Sequence, residues 1–344
     1  MKEHPGGKSP VTLKDLAAAL GYSINTVSRA LRDKEDIAPA TRERIQRTAR
    51  EMGYINNTLA ASLRLGYTNT IAVILGDVSN AHFAIMMKEI EAYARANGYV
   101  SFLLNTDEDS ELERKAIQTA LNKNVDGIIW CPAQSDGENL ALLRETGIPF
   151  VLIGRHFEGE EVSYVVCNDE LGGYQATGCL LDAGHRDILM IGGPAYISSA
   201  RERLAGYRRA YAERGLAPDP ALIRELPVTA SDCGALLDQL HAEGVRFSAV
   251  FAFSDMLAWS LWVDLQARGL RVPEDCSIVG FDHIQSRMQF PFPLTTISSY
   301  KGRMSVTSVD VLISLMREEG AAPQQIVIDT KLVEGSTVRR LEQG

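Results

Sequence analysis

Cysteine is scarce in this chain of 344 residues: five, at 131, 167, 179, 233 and 276, with no Cys-x-x-Cys pair. That spacing supplies neither a thiolate zinc site nor a disulfide framework, so a reduced, cytoplasmic setting is expected. The six histidines, at 4, 82, 156, 185, 241 and 283, show no metal-ligand spacing. No uninterrupted run of about 18 apolar residues is present, which excludes a membrane-spanning helix. The opening Met-Lys-Glu-His-Pro-Gly-Gly-Lys-Ser-Pro lacks the apolar stretch of a secretory leader and reads as a disordered lead over 1–10. Neither G-x-G-x-x-G nor G-x-x-x-x-G-K-[ST] occurs, and no nucleophile elbow does. An enzyme is therefore not expected, and neither is a metal or a cofactor.

What remains is a globular composition with an uneven charge. Hydrophobic residues make up 45% and charged residues 23%, and the length calls for two or three domains. The net charge of −9 argues superficially against nucleic acid. Yet residues 1–66 hold 11 Lys/Arg against 7 Asp/Glu, so the acidic excess lies wholly in the remainder. A basic head on an acidic body confines phosphate attraction to one end of the chain.

Residues 12–31 spell two short helices joined by a tight turn. Thr12 and Asp15 make a capping-box-like start, and Leu13, Leu16, Ala17 and Leu20 share one helical face. Gly21 is the residue that accepts a left-handed turn cheaply. Ser23 caps the second helix, Val27 and Leu31 face inward, and Ile24, Asn25, Ser28 and Arg29 are left facing outward. In a helix-turn-helix that end of the second helix reads base edges. A third helix follows Pro39, and Gly53 stops it. The Ala-rich segment from Tyr54 to Gly66 is too short to be a stable helix alone, which makes it a hinge candidate.

From Thr70 onward apolar runs alternate with amphipathic helices. Strands are expected at 70–76, 99–105, 125–131, 148–153, 163–167, 187–192, 222–226, 247–253 and 277–281. Helices are expected at 82–97, 110–123, 136–146, 169–183, 199–214, 231–243, 255–268 and 302–319. So many βα units exceed one doubly wound sheet, and two parallel sheets side by side would bind a ligand between their strand ends.

Val11-Thr-Leu-Lys-Asp-Leu-Ala, Thr26-Val-Ser-Arg-Ala-Leu31, Thr41-Arg-Glu-Arg-Ile45 and Gly53-Tyr-Ile-Asn-Asn57 carry a resemblance. Asp126-Gly-Ile-Ile129, Asp182-Ala-Gly-His-Arg186, Arg203-Leu-Ala-Gly-Tyr207, Ser277-Ile-Val-Gly-Phe-Asp282 and Leu294-Thr-Thr-Ile297 extend it. From about Pro10 to Arg339 the chain resembles the lactose/galactose-repressor (LacI/GalR) family of bacterial transcription regulators. The resemblance implies an N-terminal all-α helix-turn-helix with a hinge helix, then an α/β periplasmic-binding-protein-like core of two doubly wound parallel-sheet subdomains. The implied divisions are 11–56 for the DNA-binding domain, 57–69 for the hinge and linker, and 70–339 for the core. Within the core one subdomain would take roughly 70–165 plus 297–325, the other 166–296 plus 326–339.

The resemblance implies that Ile24 and Asn25 read operator bases, with Arg29 beside them. Asn suits adenine, Arg suits guanine, and Ile suits a thymine methyl. Thr12, Ser23, Thr26, Ser28, Tyr54 and Asn57 would grip phosphates, with helix capping as the alternative for Thr12 and Ser23. Leu13 and Ala60 are assigned to the same DNA-binding set. Leu63 would wedge into the minor groove, or else pack hinge against hinge.

For the effector, the resemblance implies Asp282 and Arg203 on opposite sides of a cleft, strand-end capping being the alternative for Asp282. Asn80, Phe83 and Met86 would follow the first core strand into the same cleft. Ser199, Ser254, Asp255 and Trp130 fall at further cleft positions, core packing remaining open for Trp130. His82 and His283 border it, whereas Trp259 and Trp262 read as core or interface. Gly154 stands where some sugar-responsive members carry Asp, and the neighbouring Arg155 would act instead. Ser254 and Ser299 replace longer polar side chains, which argues against a galactoside. Ala38 replaces the usual Ser cap, and Asn56 a common Pro. The function implied is that of a repressor on a near-palindromic duplex operator, controlled by a sugar or sugar derivative. Two copies would act as a homodimer in the bacterial cytoplasm, with no membrane partner; no C-terminal leucine heptad follows Thr337 to favour a larger assembly.

Overall fold

Side-chain caps set the ends of the N-terminal helices. In the computed structural model, which describes residues 11–54, 67–229, 233–287, 292–318 and 320–341, α1 spans Leu13–Leu20 behind a complete Thr12/Asp15 capping box. Gly21 ends it at φ +72°, and α2, Ile24–Leu31, starts where Ser23 accepts from the Thr26 N–H. The third helix, α3 (Pro39–Glu51), begins at Ala38 without a side-chain cap. Leu16, Val27, Ala30 and Ile45 are fully buried together, so three short helices that would be marginal alone share one core. The chain divides into two units, residues 1–68 and 69–344.

Among its described residues the second unit holds two six-stranded sheets. Its strands are β1 (Thr70–Leu75), β2 (Val100–Asn105), β3 (Gly127–Trp130), β4 (Phe150–Ile153), β5 (Tyr164–Cys167) and β6 (Ile188–Gly192), then β7 (Ile223–Glu225), β8 (Ala249–Ala252), β9 (Ser277–Phe281), β10 (Thr295–Ser298), β11 (Gln325–Ile328) and β12 (Lys331–Val333). The helices between them are α4 (Ala81–Ala96), α5 (Ser110–Asn122), α6 (Glu138–Thr146), α7 (Asp169–Asp182), α8 (Ser198–Ala212), α9 (Gly234–Ala242), α10 (Asp255–Ala267) and α11 (Lys301–Arg317). One sheet runs β11-β5-β4-β3-β1-β2 and the other β12-β10-β9-β8-β6-β7. All their pairings are parallel except β12 on β10. Runs such as Ile71–Leu75 and Ile188–Ile191 are almost wholly buried, as strands covered on both faces must be.

The sequence reading missed β10, β11 and β12. Each is only three or four residues long, and β11 and β12 are edge strands with partly exposed side chains. Their pairings also move the crossings between lobes. Pairing of β5 with β4 and β11 keeps the chain in the first lobe to Cys167, and β10 on β9 keeps it in the second to Ser298. The return crossing falls between Ile328 and Lys331, about three to five residues beyond 325.

Candidate nucleic-acid interface and ligand cleft

On α2 the inner face is buried through Val27 and Ala30, while Ile24, Asn25 and Arg29 are exposed and Ser28 and Thr26 half-buried. Ile24 is an isoleucine left 50% exposed at a helix start, where core packing does not account for it. Arg29 is not loose: its guanidinium meets the Asp36 carboxylate at 2.7 Å, which holds its pKa above the usual arginine value. Ser23 and Thr26 hydroxyls lie 2.8 Å apart, and Thr12 donates to Asp15, so both caps face solvent with hydroxyls already oriented. Leu13 and Tyr54 are half-buried against the three-helix core. Asn57, Ala60 and Leu63 lie outside the described residues.

The cleft in the second unit is built at the carboxyl ends of strands from both sheets. From the first lobe come Asp77 and Asn80 after β1, Glu108 after β2, Cys131 after β3, and Gly154 and Arg155 after β4. From the second come Val228 after β7, Phe253 and Ser254 after β8, Asp282 after β9, and Ser199 and Arg203 on α8. His82 and Phe83, in the first turn of α4, complete it. The inner cavity is about 60 Å³; an outer one of about 480 Å³ shares Asp77, Asn80, Val228, Phe253 and Ser254 with it, and Met256, Trp259 and Val263 also line it. The outer space is in the range of small-molecule sites.

Close helix packing aims Arg203. A Cβ on Gly173 would overlap the Arg203 backbone, and one on Gly206 would overlap the backbone of Glu170 and Tyr174. These two glycines let α7 and α8 touch main chain to main chain. Arg203 then donates from Nε to Asp169 at 2.7 Å, and its guanidinium lies 3.5 Å from the Phe281 ring centre and 4.5 Å from that of Phe253. An arginine held between two aromatic faces with an internal carboxylate has little freedom left to lose on binding. Burial pushes the Asp169 carboxyl up, against the pull of Arg203.

Asp282 sits at φ +107° and His283 at φ +52°. Such backbone costs about 1–3 kcal/mol per residue and persists only where neighbours over-determine it. Here buried Lys301 donates to both carbonyls, at 2.6 and 3.0 Å, and the Ile297 carbonyl accepts the Asp282 N–H at 2.8 Å. The strained turn holds the Asp282 carboxylate in the cleft, with His82 Nδ1 at 3.2 Å. Burial raises its pKa, but His82, Arg203 and Lys301 outweigh that and hold it below the ordinary carboxylate value.

A second strained turn serves the first lobe. Asp107 and Glu108 have φ of +50° and +58°, and the Glu108 carboxylate takes two parallel bonds from Arg155, at 2.6 and 2.9 Å. Arg155 also donates to the Pro132 carbonyl at 2.7 Å. Gly154, at φ +74°, makes the sharp turn that brings Arg155 inward, so a residue with a side chain is disfavoured there.

Seven of the ten expected effector residues meet in this cleft: Asn80, Phe83, Arg155, Ser199, Arg203, Ser254 and Asp282. The other three do not line it. Trp130 is fully buried and donates to Glu113 at 2.9 Å, holding a carboxylate that burial raises above its ordinary pKa. Met86 is fully buried in the core beneath α4. Asp255 takes the Thr296 hydroxyl at 2.5 Å and the Ile284 N–H at 2.8 Å, so it braces the strained turn from behind. Burial and the Asp282 charge push its pKa up to about 8. Trp259, expected in core or interface, stacks on Phe292 and lines the outer cavity. Asp77 and Glu108 were missed because each sits in a loop after a strand where periodicity is silent, and Phe253 because it was read as part of the strand 247–253, which ends at Ala252. Among the described residues no group of three or more His, Cys, Asp or Glu is placed to hold a metal ion, and no helix is long and apolar enough to cross a membrane.

Comparison with known proteins joins the two units. Residues 12–57 match the family model of bacterial regulatory proteins of the lacI family. Residues 68–335 match that of periplasmic binding proteins and the sugar binding domain of the LacI family. The HTH-type transcriptional repressor PurR of Vibrio campbellii is 32% identical over 331 residues, 96% of this chain and 99% of that one. A solved lac repressor dimer bound to operator and the anti-inducer ONPF superposes with a TM-score of 0.84 at 25% identity, covering 96% of this chain and 100% of that one. A complex of the transcriptional regulator CelR with cellobiose gives 0.71 at 28% identity, over 95% and 99%. With a helix-turn-helix head and a two-lobed ligand core both matched over nearly their whole length, the chain belongs to the LacI family of bacterial regulators, DNA-binding proteins whose operator affinity is under effector control.

Proposed function

We propose that this chain is a repressor acting as a homodimer on a near-palindromic operator, and that a sugar or sugar derivative in the cleft sets its affinity for that operator. The observation that carries the ligand reading is the cleft's chemistry. Asn80, Ser199 and Ser254 offer amide and hydroxyl groups around Asp282 and Arg203, with Phe83 and Phe253 as apolar surfaces. Uncharged hydrogen-bonding groups beside flat apolar faces suit a polyhydroxylated ring. Family likeness to repressors supports the direction of control and the dimer. In this reading Ile24, Asn25 and Arg29 take base edges, Thr12, Ser23, Thr26, Ser28, Tyr54 and Asn57 take phosphates, and Leu63 takes the minor groove.

The hinge reading rests on sequence. A short Ala-rich segment folds only with a partner, so residues 57–65 would become helical on operator in the paired dimer. Ligand that changes the separation of the two copies' hinges would then bias that folding, typically by about 1–3 kcal/mol. Two measurements test the proposal. A thermal-shift screen of sugars, sugar acids, polyols and nucleosides should reveal a stabilising sugar by mass action. Selection from random duplexes should return a near-palindrome, and hydrogen exchange over 57–65 should slow on that duplex. Stabilisation by nucleosides alone would overturn the sugar reading, and unchanged exchange would overturn the hinge reading.

A further inference from the structure

Both buried arginines at the cleft already have their own carboxylates. Arg203 has Asp169 and Arg155 has Glu108 in a two-bond fork, while the Lys301 ammonium is held by the Asp282 and His283 carbonyls. All three cations are about 5–6% exposed, so their charges are not spread into water. An anionic ligand would meet two guanidiniums already paired and an ammonium already held by carbonyls, and burying a charge without a free partner is costly. Of these two carboxylates, Glu108 stands apart in how it is delivered. Two consecutive residues in left-handed backbone, Asp107 and Glu108, turn it inward. Gly76 leaves the space it occupies, since a Cβ there would overlap its carboxylate. It then presents to Arg155 the same planar, two-oxygen face that a carboxylate or phosphate group of a ligand would present.

We propose that Glu108 determines the charge of the ligand: by filling the anion-binding fork of Arg155 from within, it restricts the cleft to uncharged ligands and shuts out sugar acids and sugar phosphates. The proposal deepens the sugar reading and rests on it for the ligand's chemical class. Arg155 on this account orders the wall of the cleft and holds no ligand charge. A merely structural fork would stabilise the first lobe and leave ligand charge preference untouched.

The test uses the full chain and matched pairs: D-glucose with D-gluconate, D-galactose with D-galacturonate, D-glucose with its 6-phosphate, and adenosine with its 5′-monophosphate. Thermal shift and calorimetry are run on the wild type, Glu108→Gln, Gly76→Ala, and Glu108→Gln with Arg155→Met. The wild type is expected to favour the neutral member of each pair that binds. Glu108→Gln keeps the shape without the charge, and should shift the anion-to-neutral ratio by at least about tenfold toward the anion. Gly76→Ala, which displaces the carboxylate while leaving it in the chain, should shift the ratio the same way. Adding Arg155→Met should abolish the gain. Wild type that prefers an anion, or a Glu108→Gln protein that binds none of the anions more tightly than wild type, overturns the proposal. If only the adenosine pair binds and shows the expected shift, the sugar reading falls and the charge rule stands.

Discussion

Gln134 and Ser198 tie the two lobes together: the Gln134 side-chain oxygen accepts the Ser198 N–H at 3.0 Å and its hydroxyl at 3.2 Å. Gln134 follows β3 in the first lobe, and Ser198 opens α8 in the second, the helix that carries Ser199 and Arg203. The Gln134 amide is in turn held by the His156 carbonyl at 2.7 Å, and the Ser198 hydroxyl takes the His156 N–H at 3.1 Å. The contacts make a polar cluster between the lobes that any opening of the cleft would have to break. Removing the latch with Gln134→Ala should weaken effector binding several-fold, since about 1 kcal/mol of closed-state stabilisation is lost. Calorimetry with the stabilising ligand checks this; equal affinity in both proteins would mean the contact plays no part in closure.

Arg203 supports both the fold and the cleft, and the two roles separate by mutation. Arg203→Met leaves Asp169, only 2% exposed, without its partner, and should cost about 3–5 kcal/mol of stability. Adding Asp169→Asn removes the stranded charge and should restore most of that stability while ligand binding stays lost. Denaturant melts and ligand titration of the two variants decide the matter. Recovery of binding along with stability would place Arg203 outside ligand recognition.

Asp255 gives the core a pH signature. Its folded pKa, about 8, lies above its ordinary value of 3.8, so the folded protein holds a proton that the unfolded chain has released. Stability from this group is complete below the ordinary value and is lost as pH rises through about 8, at up to about 1.4 kcal/mol per pH unit. Glu202, pushed up to about 7 mainly by burial, acts in the same direction. Asp255→Asn should therefore flatten the fall in melting temperature between pH 5 and pH 8. An unchanged slope would show that Asp255 is ionised in the fold.

On the helix-turn-helix, Asn25→Ala should broaden the sequences selected without abolishing binding. Arg29→Ala should also weaken binding itself. Asp36→Ala frees the Arg29 guanidinium from its ion pair, and should steepen the salt dependence of non-specific DNA binding by about one charge. Anisotropy titrations across salt concentrations measure all three. Identical selection with both α2 variants would remove α2 from base recognition.

Local chemistry was the legible part of this protein. Thr12 and Asp15 lie three residues apart, so their mutual cap is written in the spacing, and Gly21 marks the turn by residue type alone. Runs such as Ile188–Ile191 announced their sheets because a strand covered on both faces must be apolar throughout. The direction of individual side chains was not legible. Trp130 and Cys131 are adjacent at the end of β3, yet only Cys131 lines the cleft, while Trp130 packs against α5 and α6. Ser254 and Asp255 divide in the same way between cleft and brace. Glu108, in a loop where periodicity is silent, was invisible for a further reason. Its partner Arg155 is 47 residues away, after a strand separated from β2 by β1 and β3 in the sheet, and the two meet through left-handed turns at Asp107, Glu108 and Gly154 that no sequence pattern announces.

The most direct test of the account is a titration of the selected duplex with the full chain, with and without a saturating amount of the ligand that stabilises the core. Operator affinity should change about 5- to 150-fold, with the same factor returned when ligand affinity is measured on and off the duplex. Equal operator affinity at both ligand levels, or a chain that holds no duplex above random competitor in either, would contradict it.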